Sequence, residues 1–406
     1  MDRRTLIKLM AAAAVSGCAG QSSAPRPLRV VVAGAGIIGA AVAYHLAKAG
    51  AVVTVIDQEG PASHASRGTF AWINATWAKQ PRSYHQFSQQ GVASWGDLQR
   101  ALKLPVRWGG SLEWFTDASR QAKLVQQIEE QVAWGEPARM LSALEIAELE
   151  PDLQTTPGMS AAFSPNDGAL DPVLATHSLL DAAVQMGATL RYPCTLNGVA
   201  ISQGRLTAVE TSVGVIPADR LVLATGAAAD IPARVAGIDI PQRSTPGVIV
   251  LTKPMRRLLQ RIVVAPGVHM HQRDDGRIVL GEQDGPPSGA AHQQRLAGRP
   301  NKFPNREFAL QHARRILAIA EQFVPGVANA EVDAVHVGWR PLPLDGHPVL
   351  GANPERRDVY LAIMHSGVSL APIVGQLVAR ELVDELSLGQ LALYRPTRAF
   401  ERVKRY

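Results

Sequence analysis

Four residues near the start carry the clearest chemical pattern in the chain: Gly34, Gly36, Gly39 and Asp57. The first three form G-x-G-x-x-G within Val32-Ala33-Gly34-Ala35-Gly36-Ile37-Ile38-Gly39. In such a motif the first glycine allows a tight turn and the second lets the backbone approach a pyrophosphate. The third lets a helix pack closely on a strand. Asp57 follows Gly39 by the roughly 20 residues expected of an acid that meets an adenosine ribose hydroxyl. A helix opening at this turn also presents N–H groups and the positive end of its dipole to phosphate. The expected ligand is an adenine dinucleotide. The plainer alternative is a βαβ unit whose glycines serve packing alone.

The flanking sequence supplies the elements that such a pattern needs. Val30-Val31-Val32 reads as a buried strand, and an alanine-rich helix ends near Gly50. Val52 to Ile56 reads as a second strand closing on Asp57. A loop rich in Ser, Gly and His follows from Gly60 to Thr76, and its Ser63–Thr69 stretch is placed to run along the far end of the ligand. Helical periodicity spans Tyr84 to Ala101 and Ser119 to Trp134, with a strand-like Ser111–Phe115 between them. Asp171-Pro172-Val173 opens a helix that stops at Gly187, with proline at its start and glycine at its end. A further strand reaches Gly226, a helix covers Phe308 to Phe323, and Gly285–Pro304 reads as a long polar loop. The end is a strand, Asp358 to Ile363, then a glycine turn and an apolar helix from Leu370 to Leu386. Dinucleotide-type segments therefore stand at the start, middle and end, with two inserts between them. That interleaving favours a flavoprotein over a nicotinamide dehydrogenase, whose binding unit is usually one continuous block.

Residues 1–24 read as a targeting segment outside the fold. Asp2-Arg3-Arg4-Thr5-Leu6-Ile7-Lys8 is a twin-arginine pattern, followed by an apolar run too short to span a bilayer. Val15-Ser16-Gly17-Cys18 resembles a lipobox, which makes Cys18 the expected lipidation site; the alternatives are cleavage without lipid or a chance basic start. The expectation is export by the twin-arginine route to the periplasm, with attachment to the membrane through that lipid alone. Twin-arginine export carries folded proteins, which suits a chain loaded with its cofactor beforehand. The formal charge is +6 over 406 residues, and removing residues 1–17 leaves +4. The remaining basic residues are not interleaved with aromatics, so nucleic-acid binding is not expected. The basic tail, residues 396–406, reads with Arg395 as a solvated end. With Cys18 lipidated, Cys194 is the only other thiol, which excludes an internal disulfide. No metal-ligand spacing is present.

Taken together, the motifs resemble the FAD-dependent amine and amino-acid oxidoreductases, the superfamily of D-amino-acid oxidase, glycine oxidase and sarcosine oxidase. The resemblance covers the chain after about Leu28. Its carriers are the N-terminal fingerprint, Ala224-Thr225-Gly226, Gly338-Trp339-Arg340-Pro341 with Asp345–Gly351, and Met364-His365-Ser366-Gly367. It implies an α/β fold in two parts. A Rossmann-like FAD-binding domain would be assembled from residues 27–80, 150–235 and 336–395. An inserted α+β substrate domain with an antiparallel sheet would come from residues 81–149 and 236–335. By the same resemblance Gly34, Gly36, Ile38, Gly39, Asp57 and Gln58 hold the AMP half of FAD, and Val199 touches the adenine. Ser66 and Arg67 lie on the route to the flavin, Thr225 and Gly226 approach the pyrophosphate, and Gly367 with Val368 passes the flavin ring. A helix beginning after Gly367 directs its positive end at whatever lies there, which favours reduced flavin.

The resemblance also names catalytic candidates. Arg340 stands where related oxidases grip a substrate carboxylate, a task that suits a permanently charged guanidinium fork. A structural arginine paired with Asp345 or a backbone carbonyl is the alternative. His365 is placed to accept a proton from a substrate amine or to orient it, or else is a hydrogen-bonded turn residue. His269 and His271 alternate on a strand before Asp274-Asp275-Gly276 and so face one side, either a basic pocket or solvent. The absence of cysteine near Gly338–Pro341 implies non-covalent FAD. The implied activity is hydride transfer from the carbon next to nitrogen of a small amino acid or carboxylated amine to flavin N5. Oxygen or a quinone then takes the electrons. The other readings are a non-catalytic flavin-binding or assembly protein and a nicotinamide-linked dehydrogenase.

Overall fold

The computed structural model describes residues 26–283, 298 and 302–402. The leader with Cys18, most of the Gly285–Pro304 loop, and Lys404 and Arg405 lie outside the described residues. Two large sheets organise the rest. The first has six strands in the order Val349–Asn353, Arg356–Ile363, Arg220–Leu223, Arg29–Ala33, Val52–Ile56 and Thr189–Arg191. Neighbours are parallel except for the antiparallel pair at the Val349 edge. The central strand is covered on both faces, which explains its unbroken valine run. Val30 and Val32 pack into the cluster holding helices Ile37–Lys48 and Gly367–Val383. Val31 and Ala33 point the other way, toward the small antiparallel sheet built on Leu196–Ser202 and Arg205–Thr211.

The two helices on that first face approach to backbone distance. A Cβ placed on Gly375 would lie 2.6 Å from the Ala41 carbonyl oxygen and 2.7 Å from the His45 ring. Gly375→Ala is therefore expected to force the pair apart and lower stability by about 1–3 kcal/mol, the usual range for overpacking. Denaturant unfolding checks this; an unchanged midpoint would show that the contact yields freely.

The second sheet has eight strands. Their order is Val332–Pro343, Gln242–Thr252, Ile278–Gly281, Val268–Gln272, Ile262–Ala265, Ser111–Glu113, Ser160–Ser164 and Arg139–Ser142. All neighbours are antiparallel except Ile262–Ala265 with Ser111–Glu113. Helix Arg306–Glu321 covers one face through Ala313, Ile316 and Ala320. The other face turns Ile249, Leu251 and Val279 toward Phe70.

The chain crosses between these bodies at different points from those read in the sequence. Strand Ser160–Ser164 and the whole of Val332–Pro343 belong to the eight-stranded sheet. Helix Arg82–Leu102 instead sends Tyr84, Phe87, Trp95 and Leu98 into the cluster of the first sheet. The solvated-tail expectation also needs correction at two residues. Arg398 bonds both oxygens of Asp345 at 2.6 and 3.1 Å, and Arg395 bonds Glu381, which also accepts from the Tyr360 hydroxyl at 2.7 Å. These partners are distant in sequence, so charge composition alone could not reveal them. Arg402 is exposed as expected.

Candidate active site

The turn after the first strand has the form a dinucleotide requires. Gly34 adopts φ +111°, and a Cβ there would lie 2.9 Å from the Ala224 carbonyl carbon. A Cβ on Gly39 would run into the Gly34 carbonyl, so the first helix sits directly against the turn. A Cβ on Gly36 would come 3.1 Å from the Ser66 hydroxyl, which accepts the Ile37 N–H at 2.9 Å. Beside Gly34, the Thr225 hydroxyl is buried with no hydrogen-bond partner among the described residues. A cradle that any side chain would fill, next to an unused hydroxyl, fits a phosphate-bearing ligand. Asp57 is more occupied than the sequence suggested. Its Oδ2 accepts the Ala35 N–H at 2.8 Å, and its Oδ1 accepts those of Glu59 and Gly60 at 2.9 and 2.8 Å. A carboxylate has about four acceptor sites. Asp57 thus ties the turn to its own loop and retains one site for a ribose hydroxyl.

Other expected cofactor residues take separate positions. Gly226 adopts φ +57° close to this turn, and Val199 is half-buried against the cluster containing Ile56. Ile38 lies 3.4 Å from where a Cβ on Gly367 would be, so the two helices begin side by side. Gln58 and Arg67 are exposed, and Arg67 acts on His336 through its charge. His365 is half-buried, and its carbonyl accepts the Gly367 N–H at 2.8 Å. Val368 is buried, and its carbonyl accepts the Trp95 indole N–H at 2.8 Å, which fixes the start of the last helix. That helix has no side-chain cap and no acid in its first turn.

Two of the catalytic candidates, Arg340 and His269, share one face of the eight-stranded sheet, whereas His365 lies off that sheet in the turn between Arg356–Ile363 and Gly367–Val383. His336 stands opposite Ile249, Ile249 opposite Gly281, and Gly281 opposite His269. Two and four residues after His336, Gly338 faces Gly247 and Arg340 faces Thr245 on the same side. Gly281 is small for a reason: a Cβ there would run into the His269 ring. The Gly68 loop lies against Gly338, whose added Cβ would be 2.6 Å from the Gly68 oxygen. Gly68 and Gly338 therefore let this sheet meet the first fold unit backbone to backbone, with Arg340 and His269 flanking the junction. Arg340 donates to the Pro246 carbonyl at 3.2 Å, whereas Asp345, its other candidate partner, is held by Arg398. The sequence reading missed His336, Ser244 and Thr245; the hydroxyls of the last two are buried without partners among the described residues. The period-2 spacing of His336, Gly338 and Arg340 was the available signal.

Of the two strand histidines, His271 is buried and His269 is half-buried with its Nε2 enclosed, and they do not make the pocket basic. Burial, then the Arg340 charge, pushes His269 down to about 3. Burial likewise pushes His271 to about 3, even though its Nε2 is 2.9 Å from the Phe70 carbonyl. His269 Nε2 has no partner among the described residues, and its ring packs 4.1 Å from Phe70. Both imidazoles are neutral near pH 7. In the substrate-free protein, imidazole ¹⁵N shifts of His269 are expected to stay constant from pH 8 to pH 5. A protonation midpoint near the ordinary 6.5 would contradict this burial.

Comparison with known proteins matches most of the chain. The family model described as FAD dependent oxidoreductase covers residues 29–381. Glycine oxidase of Geobacillus kaustophilus is 27% identical over 92% of this chain and 98% of its own. Glycine oxidase of Pseudomonas putida is 29% identical over 91% and 98%. The crystal structure of the Geobacillus kaustophilus enzyme superposes with a TM-score of 0.81 at 25% identity, covering 92% of this chain and 100% of that one.

Proposed function

This chain belongs to the FAD-dependent oxidoreductase family, and from that premise we propose that it oxidises the C–N bond of a small amino acid or carboxylated amine. The observation that carries the proposal is the sheet face that holds Arg340 and neutral His269 on either side of the Gly68–Gly338 junction. FAD, when bound, supplies the hydride acceptor for the carbon next to nitrogen. Arg340 provides a fixed positive fork for the substrate carboxylate. Neutral His269 offers a hydrogen-bond partner to the amine and orients it. The substrate carboxylate would also offset the Arg340 charge that helps hold His269 neutral, so substrate binding raises the basicity of that imidazole. Thr245, directly opposite Arg340 on the neighbouring strand, supplies a further hydroxyl on the same face.

The deciding experiment is an anaerobic visible spectrum of the purified protein, taken before and after adding D-, L- and N-methyl amino acids. Bleaching by one class supports the proposal and identifies the substrate group; oxidised flavin that no amine bleaches counts against it. Oxygen or a quinone is the proposed final acceptor. We further propose twin-arginine export with lipid on Cys18. Cys18→Ser is then expected to move the protein from the membrane fraction to the soluble periplasmic fraction; an unchanged distribution counts against the anchor.

A further inference from the structure

A cavity of about 490 Å³ lies away from the dinucleotide turn and from Arg340, between helix Arg82–Leu102 and the end of strand Ser160–Ser164. Thr76, Trp108, Gln131, Glu136, Ser164 and Asp167 supply its chemistry. Its volume is in the range of small-molecule sites. Two carboxylates line it, and no lysine or arginine does so among the described residues. Asp167 is only 2% exposed. Its Oδ2 accepts from Trp72 Nε1 at 2.9 Å, from Ser111 Oγ at 2.7 Å and from the Thr76 hydroxyl, while no donor among the described residues reaches Oδ1. Lys79, whose charge acts on Asp167, donates to Asn74 and does not line the cavity.

Two further side chains in the wall are built for a ligand. Gln131 is 2% exposed and Ser164 is 7% exposed; neither Gln131 Nε2 nor Ser164 Oγ has a hydrogen-bond partner among the described residues. An unused buried amide N–H is costly unless something accepts from it. A simple metal ion or alkylammonium has no acceptor to offer. The occupant therefore carries a positive charge for the carboxylates and a neutral acceptor for Gln131. Trp108 adds an aromatic wall suited to an organic cation.

We propose that this cavity is a second binding site, for an organic ammonium compound bearing a hydroxyl or carbonyl acceptor. The cation lies against Glu136 and Asp167, and the acceptor takes the Gln131 amide N–H. The site is tied to the cofactor side by two bonds: Trp72 joins Asp167 through its indole, and its carbonyl accepts the Ser369 hydroxyl at 3.1 Å in the first turn of the last helix. Occupancy at Asp167 thus bears on the segment that passes the flavin. Burial raises Asp167 to about 6, opposed by the hydrogen bonds from Thr76, Ser111 and Trp72 and by the Lys79 charge, so Asp167 is ionised at pH 8.

The test is calorimetric titration of the FAD-loaded protein with choline at pH 8, with sodium chloride matched in every sample. Choline keeps its charge at every pH. One saturable site per chain is expected in the parent protein and in Arg340→Met. Glu136→Gln is expected to weaken binding at least ~10-fold, as loss of one partly buried charge partner implies. Ala93 is exposed at the cavity wall. Ala93→Trp fills the space without removing any polar partner and is expected to abolish binding, with unchanged thermal unfolding as the folding control. No saturable heat in the parent protein overturns the proposal, as does binding that survives both Glu136→Gln and Ala93→Trp. Binding lost in Arg340→Met places choline in the flavin-side pocket and overturns it equally.

Discussion

Arg340→Met is expected to raise KM for carboxylated amines by roughly 100-fold while FAD remains bound. Hydrogen bonds to charged groups contribute about 1.5–3 kcal/mol each, and loss of a two-pronged pair comes to about 3 kcal/mol, or two decades of affinity. Methionine preserves much of the side-chain volume, and Arg340 itself lies on the Val332–Pro343 strand, away from the Gly34 turn. The flavin spectrum should therefore be unchanged. Steady-state kinetics with an amino acid and with its decarboxylated amine separate the cases. The variant should lose the first activity selectively. Equal loss for both amines would assign Arg340 to the architecture, and parent-like kinetics would remove the carboxylate role.

Gly39→Val is expected to give protein without flavin. The new side chain would start inside the Gly34 carbonyl and reach toward Ala224, whose Cβ is already 3.4 Å from a Cβ at this position. The first helix must move away from the turn, and its N–H groups leave the place where a pyrophosphate would sit. Overpacking alone costs about 1–3 kcal/mol, and the lost cofactor lowers apparent stability further by mass action. The measurement is the ratio of flavin absorbance to protein absorbance after purification, with thermal unfolding as companion. A stoichiometric yellow variant would show that the turn is not the binding cradle.

The sequence was most legible where one short segment does the whole task. Gly34, Gly36, Gly39 and Asp57 lie in one strand–turn–helix–strand unit, and the structure shows the turn that their spacing implied. The capped helix Pro172–Gln185 was equally local, with Asp171 bonding the N–H groups of Val173 and Leu174. Legibility failed where position depends on pairing between distant segments. Ser111–Glu113 runs parallel to Ile262–Ala265, and no local pattern encodes that neighbour. The row from His336 to His269 crosses four strands, and two of its members are recognisable only once the register is known. The short helix Ala143–Leu149 was missed although its capping box, Ser142 with Glu145, is a local signal. The tail arginines were misread for the opposite reason: their charge was plain, but Glu381 and Asp345 arrive only through the fold.

The first and last helices begin against each other, with Ile37 and Ile38 packed 3.4–3.8 Å from where a Cβ on Gly367 would be. Neither has an acidic residue in its first turn or a cap from its own N-cap residue, and at the first helix Ser66 accepts the Ile37 N–H. Two positive ends thus share one edge of the molecule, a condition that Ser66 on the Ile37 N–H and Asp57 on the Ala35 N–H relieve only in part. An anionic occupant relieves it, so the empty protein should be the less stable form. At a free concentration of 1,000 times its dissociation constant, a ligand adds about 4 kcal/mol of apparent stability. Cofactor supply would then set how long a newly made chain survives proteolysis, and flavin scarcity would be felt first as lost protein rather than as slow turnover.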